Sequence, residues 1–312
     1  MENLILSLNV VLPLFLMIVL GYGLKVLKIW DTHTINGMNT VVFKVFLPVL
    51  LFINVYQTDI AGVFNLKLML FAIFSVILIL LITWGIICLI EKENPKRGVL
   101  IQAIFRSNFV IFGIPIATSL CGAESTGAAA LLVAVIVPLF NVLAVITLET
   151  FRGSRIHVRK ILRGIVTNPL IIGSLLGLLF LAIGIKLPSA IEKTISDLSK
   201  VTTPLALVIL GASFTFSSVR GNLRNLCIGL LGKLVLAPVI FLPLAIMFDL
   251  KGTSLAILLA IFGSPPAVSS FSMAKQMDGD ADLAGQLVVF GSMFSVLTMF
   301  IWIFILKEGQ FI

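Results

Sequence analysis

Two short stretches, Ile111-Phe-Gly-Ile-Pro115 and Ile261-Phe-Gly-Ser-Pro265, decide how this chain is read. Each lies near the middle of an apolar run, 98–120 and 253–276. A helix needs about 20 mostly apolar residues to cross a bilayer, so each run is long enough to span. Proline inside a helix removes one backbone hydrogen bond and clashes with the preceding turn. In hydrocarbon, the freed groups are tolerated only against protein or a wet cavity. A single proline kink is explained by packing, and Pro13, Pro138, Pro238 and Pro243 are read that way. Paired breaks, Gly113 with Pro115 and Gly263 with Pro265 and Pro266, predict interrupted helices around one shared site.

The pairing extends along the chain. Gly23-Leu-Lys25 recurs as Gly184-Ile-Lys186, Lys44-Val-Phe-Leu-Pro48 as Lys200-Val-Thr-Thr-Pro204, and Phe140-Asn-Val-Leu143 as Phe294-Ser-Val-Leu297. With the Gly-x-Pro pair, these matches fall in one order at offsets of 150 to 161 residues. They predict an internal duplication, 1–150 and 169–312, joined by a basic linker at 151–168. Ten apolar runs are expected to span: 4–24, 35–56, 65–90, 98–120, 126–148, 169–185, 191–214, 226–248, 253–276 and 281–306. Five spans per half is an odd number, so the second half enters the membrane inverted, as in secondary transporters. The expected fold is an all-α polytopic membrane protein with two inverted five-helix repeats and broken crossover helices 4 and 9.

Composition agrees. Of 312 residues, 59% are hydrophobic and 12% charged, against about 25% charged in soluble domains. Mean hydropathy is +1.18. A soluble enzyme, a disordered chain and a secreted disulfide scaffold are excluded. The runs are apolar on every face, whereas a membrane barrel alternates. The first run lacks a basic start and a small-residue cleavage site, so it is expected to remain as a span. Cys88, Cys121 and Cys227 have no CxxC spacing, and His33 and His157 lie in polar gaps, so neither a metal nor any other cofactor is expected.

The net charge is +8. Most Lys and Arg fall in short gaps between runs, which fits topology and anionic lipid, not nucleic acid. Thirteen fall on the side holding Lys25, Lys92, Arg155, Arg220 and Lys275, six on the side holding Lys67, Lys186 and Lys307, and three within runs. The first side is therefore cytoplasmic and both termini face out of the cell membrane.

A broken helix presents free N–H groups and a positive dipole end, which attract an anion. Two such ends at one midplane point predict a carboxylate site. Asn108 lies two turns before Pro115, Ser264 and Ser269 flank the second break, and Asn141 is expected beside them. These groups can hydrogen-bond a carboxylate without carrying charge, whereas Ser272 and Ser295 read as small packing residues. No Asp or Glu lies near a span centre, so no carboxylate proton relay is visible. The charges within spans are Lys44, Arg106 and Lys233. Lys44 lies about 15 Å into its span by helical rise and is a candidate substrate contact. Arg106 and Lys233 are shallower, within snorkelling reach of the cytoplasmic interface, and either role is open to them.

The runs Arg106-Ser-Asn108-Phe-Val-Ile-Phe-Gly-Ile-Pro115, Pro265-Pro-Ala-Val-Ser-Ser-Phe-Ser-Met-Ala-Lys275 and Leu283-Ala-Gly-Gln-Leu-Val-Val-Phe-Gly-Ser292 resemble the auxin efflux carrier family of membrane transporters. So do Asn168-Pro169 and Pro204-Leu-Ala-Leu-Val-Ile-Leu-Gly-Ala-Ser213, and the likeness covers essentially the whole chain. That family includes plant PIN-FORMED auxin exporters and bacterial permeases assigned to malate or malonate. The short linker looks like the bacterial branch. The resemblance implies a scaffold of spans 1, 2, 6 and 7 and a moving domain of spans 3–5 and 8–10. It implies substrate binding by Asn108, with Pro115 and Pro265 at the crossover. The plant exporters' second binding Asn in span 9 and their acidic residue in span 3 have no match here. The function expected is secondary transport of small organic anions such as malate. A uniporter or channel is the alternative. A proton, a sodium ion or no ion remains open as the coupling partner, and a homodimer as one of the open assemblies. An intramembrane enzyme would need a catalytic pair within the bilayer, and none is present.

Overall fold

In a computed structural model, residues 2–58, 65–122, 125–153 and 158–312 are described, and among them there is no strand. Fifteen α-helices follow in order: α1 Glu2–Val26, α2 Thr32–Val41, α3 Leu47–Tyr56, α4 Leu66–Ile90, α5 Asn94–Phe105, α6 Phe109–Cys121, α7 Ser125–Phe151, α8 Val158–Thr167, α9 Pro169–Ile183, α10 Ser189–Ser213, α11 Val219–Leu231, α12 Ala237–Met247, α13 Thr253–Gly263, α14 Ser269–Gln276 and α15 Ala281–Glu308. Every apolar run read from the sequence is helical. Six helical stretches are singly long and apolar enough to cross a membrane, and the bent pair α5–α6 makes a seventh. Leu12–Val26, α9 and α13 are shorter apolar helices.

Local chemistry sets the helix starts. Asn65, Asn168 and Asp280 each accept a hydrogen bond from a backbone N–H in the first turn of α4, α9 and α15, and Pro169 occupies the position where no N–H is needed. Two spans carry a π-helical turn that the sequence pattern did not announce, Val42–Phe46 between α2 and α3 and Gly232–Leu236 between α11 and α12. A π turn loosens the backbone ladder, and π turns cluster at functional sites. Both are supported from outside. Thr202 on α10 donates to the Phe46 carbonyl at 3.1 Å, and the Trp302 indole on α15 donates to the Leu234 carbonyl at 3.1 Å.

Helix packing is close where side chains are absent. α1 packs chiefly on α10, and α3 on α9. A Cβ on Gly21 would lie 1.9 Å from the Val208 carbonyl oxygen, and one on Gly211 1.9 Å from that of Ile18. Gly173 and Gly177 of α9 approach the carbonyls of Pro48 and Phe52 in the same way. Without a hydrophobic force between helices in lipid, such small-residue contacts supply much of the association. The outer surface is strongly apolar, with Leu16, Leu81, Leu89 and Met247 more than half exposed. Soluble monomers do not present such belts.

The linker carries a helix of its own, for 158–167 forms the amphipathic helix α8. Leu162 and Val166 share an exposed apolar row, and Arg159 and Arg163 an exposed basic one.

Candidate anion site at two helix breaks

The first interruption extends upstream of the proline that predicts it. The helical ladder stops at Phe105 and resumes at Phe109, leaving Arg106–Asn108 non-helical, while Pro115 lies exposed within α6. The axis still bends by 60° between Asn94–Phe112 and Pro115–Cys121. The reason is tertiary. The Asn108 N–H leaves its own helix and donates to the Pro265 carbonyl at 2.8 Å. The second break falls where expected, with α13 ending at Gly263, Ser264–Val268 non-helical and α14 starting at Ser269. The two interrupted backbones thus meet, and this hydrogen bond satisfies one of the groups that the bilayer would leave unpaired. α15 lies close behind: a Cβ on Gly291 would come within 2.7 Å of the Pro266 ring.

Beside this crossing is a cavity of about 80 Å³. That is room for about half a dozen waters or a small organic acid. Its walls come from Asn108–Ile111 at the start of α6, Ala267–Ser269 at the start of α14, Val137 and Phe140 of α7, Leu50 and Asn54 of α3, and Thr203 of α10. Both half-helix N-termini therefore face it with their positive dipole ends, although at α14 the Ser270 and Phe271 N–H groups already donate to the Ala267 and Val268 carbonyls.

Arg106 is the charged group in its described wall. It does not snorkel. Its residue is 3% exposed, and the guanidinium donates to Asn141 Oδ1 at 2.6 Å, to Ser269 Oγ at 2.8 Å and to the Met273 sulfur. Asn141 is fixed in turn, its amide donating to the Val137 carbonyl at 2.9 Å. All these partners are neutral. The ion pairs among the described residues, such as Lys96–Glu93 and Arg152–Asp278, lie outside the cavity. A buried unpaired cation costs about several kcal/mol, which an incoming anion offsets. Two more donors wait in the same wall: the side-chain amide nitrogens of Asn108 and Asn54 are buried without a hydrogen-bond partner.

The remaining candidates divide. Asn108, Asn141, Ser269 and Pro265 meet at the crossing. Ser264 is fully buried with its hydroxyl unpartnered, and Pro266 is buried against α15, but neither lines the cavity. Gly113 lies within α6, and its surroundings fall outside what is described. Lys44 sits in the first π turn, is exposed and does not line the cavity. Ser295 bonds the Ser292 carbonyl in its own helix, while Ser272 is buried with no partner for its hydroxyl. Lys233, also within snorkelling reach, is 1% exposed, and its ammonium reaches the Ile261 carbonyl at 3.3 Å. There it opposes the negative end of α13, just before the break. Sequence reasoning missed Asn54 and Thr203, whose helices reach the cavity only through tertiary packing.

Two broken helices that meet beside a cavity holding a buried arginine, in an apolar-surfaced helical protein, fit a membrane transporter. The chain belongs to the membrane transport protein family, whose model matches residues 6–303. It is 25% identical to an uncharacterized transporter of Methanocaldococcus jannaschii, over 96% of this chain and 98% of that one. It is 24% identical to an uncharacterized transporter of Methanothermobacter thermautotrophicus, over 95% and 97%. It is a multi-pass membrane protein and not an enzyme.

Proposed function

We propose that this protein is a secondary transporter of small organic anions, carboxylates such as malate, with its site at the crossing of the two broken helices. The observation that carries this reading is the Arg106 guanidinium, buried among neutral partners in a cavity that two helix N-termini also face. In this reading the ten apolar runs are ten spans in two inverted repeats, 1–150 and 169–312, with 151–168 as a cytoplasmic linker and both termini outside. The cavity lies between α3 and α10 on one side and the crossing on the other. That arrangement supports alternating access, in which the crossing moves against the scaffold and carries the anion with it. Coupling to a proton or sodium ion and assembly as a homodimer are compatible with this reading and are not needed by it.

The test is counterflow of labelled malate in proteoliposomes, comparing wild type with Asn108→Ala. Exchange in wild type that falls at least about tenfold in the variant is expected, since losing a hydrogen bond to a charged group costs about 1.5–3 kcal/mol. Undiminished exchange in the variant would move the site elsewhere. Exchange of neither malate nor other carboxylates by wild type would reject the anion reading.

A further inference from the structure

The charge count in the cavity limits what passes through it. Its described wall holds one formal cation, Arg106, and no Asp, Glu, Lys or His. The neighbours that grip the guanidinium, Asn141, Ser269 and Met273, are uncharged. Its charge is therefore not cancelled from within the protein. The half-helix ends add partial charges of about +0.5 each, which orient a carboxylate but bring no net charge, because each helix has an opposite end. Asn54 and Asn108 add donors and no charge.

We infer that the site binds one negative charge at a time, so that the loaded carrier is neutral at its centre and the empty carrier bears one positive charge. This rests on the anion-transport reading above and adds the valence of the substrate. A monocarboxylate fits as its anion, and a dicarboxylate fits with its second carboxyl protonated. A full dianion would leave one negative charge in a cavity that holds no second cation, which is costly where water is excluded. Two consequences follow for transport. Exchange of one anion for another moves only the neutral, loaded form and ignores membrane potential. Net transport requires the return of the empty, charged form and therefore responds to potential.

The experiment uses the full chain in proteoliposomes, with labelled lactate and labelled malate as probes and potassium diffusion potentials of either sign. For wild type, lactate counterflow should change by less than about twofold with potential, while net uptake into anion-free vesicles should change by about tenfold or more. Malate counterflow should rise as pH falls through its second carboxyl pKa, and lactate counterflow should not follow. Arg106→Lys keeps the charge and should retain this pattern. Arg106→Gln should lose at least about tenfold in exchange while eluting as the same monodisperse species.

Wild-type exchange that proceeds but changes about tenfold with potential overturns the single-charge inference and leaves anion transport standing. Malate exchange that is flat across that pH range has the same effect. Arg106→Gln that exchanges like wild type removes the guanidinium from the site and overturns the inference. Wild type that exchanges neither acid overturns both readings together.

Discussion

Asn54 projects from α3 with its amide nitrogen buried and unpartnered, into the cavity whose far wall holds Arg106. The site is short of acceptors, and that shortage is what an anion relieves. Asn54→Asp would supply the missing charge permanently. The new carboxylate would pair with the guanidinium and exclude a second anion, so transport at neutral pH should fall at least about tenfold. Activity should return as pH drops through the carboxyl's pKa, because its protonated form again leaves Arg106 unpaired. A pH series of counterflow in Asn54→Asp against wild type checks this, and loss at every pH would argue against charge competition. At this scale the sequence was a partial guide. Asn108, Asn141 and Ser269 were legible because polar groups beside paired prolines are costly in lipid. Arg106 was left undecided because its distance from the cytoplasmic end is within snorkelling reach. Only the turn of 106–108 towards Ser269 and Asn141 makes it a buried group.

Helix contacts carry the next predictions. Gly21 and Gly211 let α1 and α10 cross with backbone against side-chain-free backbone, and both added methyls would meet carbonyl oxygens at 1.9 Å. Gly23, two residues along, faces open space. Gly211→Ala should destabilise by about 1–3 kcal/mol or more, and Gly23→Ala should not. Thermal unfolding followed by size-exclusion elution separates them, and equal losses would deny the close crossing. A second contact joins the turn after α4 to α11. Glu91 takes the N–H groups of Lys92 and Glu93 at 2.7 and 2.8 Å and the Asn225 amide, while Arg97 and Arg224 hold the carbonyls of Glu91 and Ile90. Burial pushes its carboxyl upward, but these hydrogen bonds outweigh it and hold the pKa below its ordinary 4.5. A carboxyl depressed by folding contributes stability above its unfolded pKa and loses it as pH falls through the folded value. Below pH 4.5, stability should therefore decline in wild type and decline less in Glu91→Gln. Parallel acid melts would contradict the linkage. The helices were readable from hydropathy, and the second break from Pro265. The π turns were not, because the Thr202 and Trp302 contacts that complete them are distant in sequence. The first interruption extends further upstream than Pro115 announces for a similar reason, since the Pro265 carbonyl draws Asn108 out of its helix.

For the whole molecule, the distribution of basic residues predicts an orientation that the helical packing alone does not. Thirteen Lys and Arg gather on one side and six on the other, and the richest cluster, 151–168, includes α8 with its basic and apolar rows. An amphipathic helix of this kind settles at the headgroup level with its basic row towards anionic lipid. On the proposed topology, α8 therefore lies against the inner leaflet, while the end of α15 is outside. Gly153 and Glu308 are both exposed, one beside the linker and one at the last turn of α15. With Cys88, Cys121 and Cys227 replaced by Ser, Glu308→Cys should react with a membrane-impermeant maleimide in intact cells. Gly153→Cys should react only after permeabilisation. The reverse pattern would invert the molecule, exchange its inward and outward mouths, and make the charge asymmetry a consequence of something other than insertion. Opposite accessibility of the two sites would mean an odd number of crossings between them. The five spans of the second half predict that odd number. Two sites on one side would instead require an even count and remove the inverted repeat, so maleimide labelling of this pair tests duplication and orientation separately. The decisive readout for the repeat is opposite accessibility, whichever of the two sites is outside.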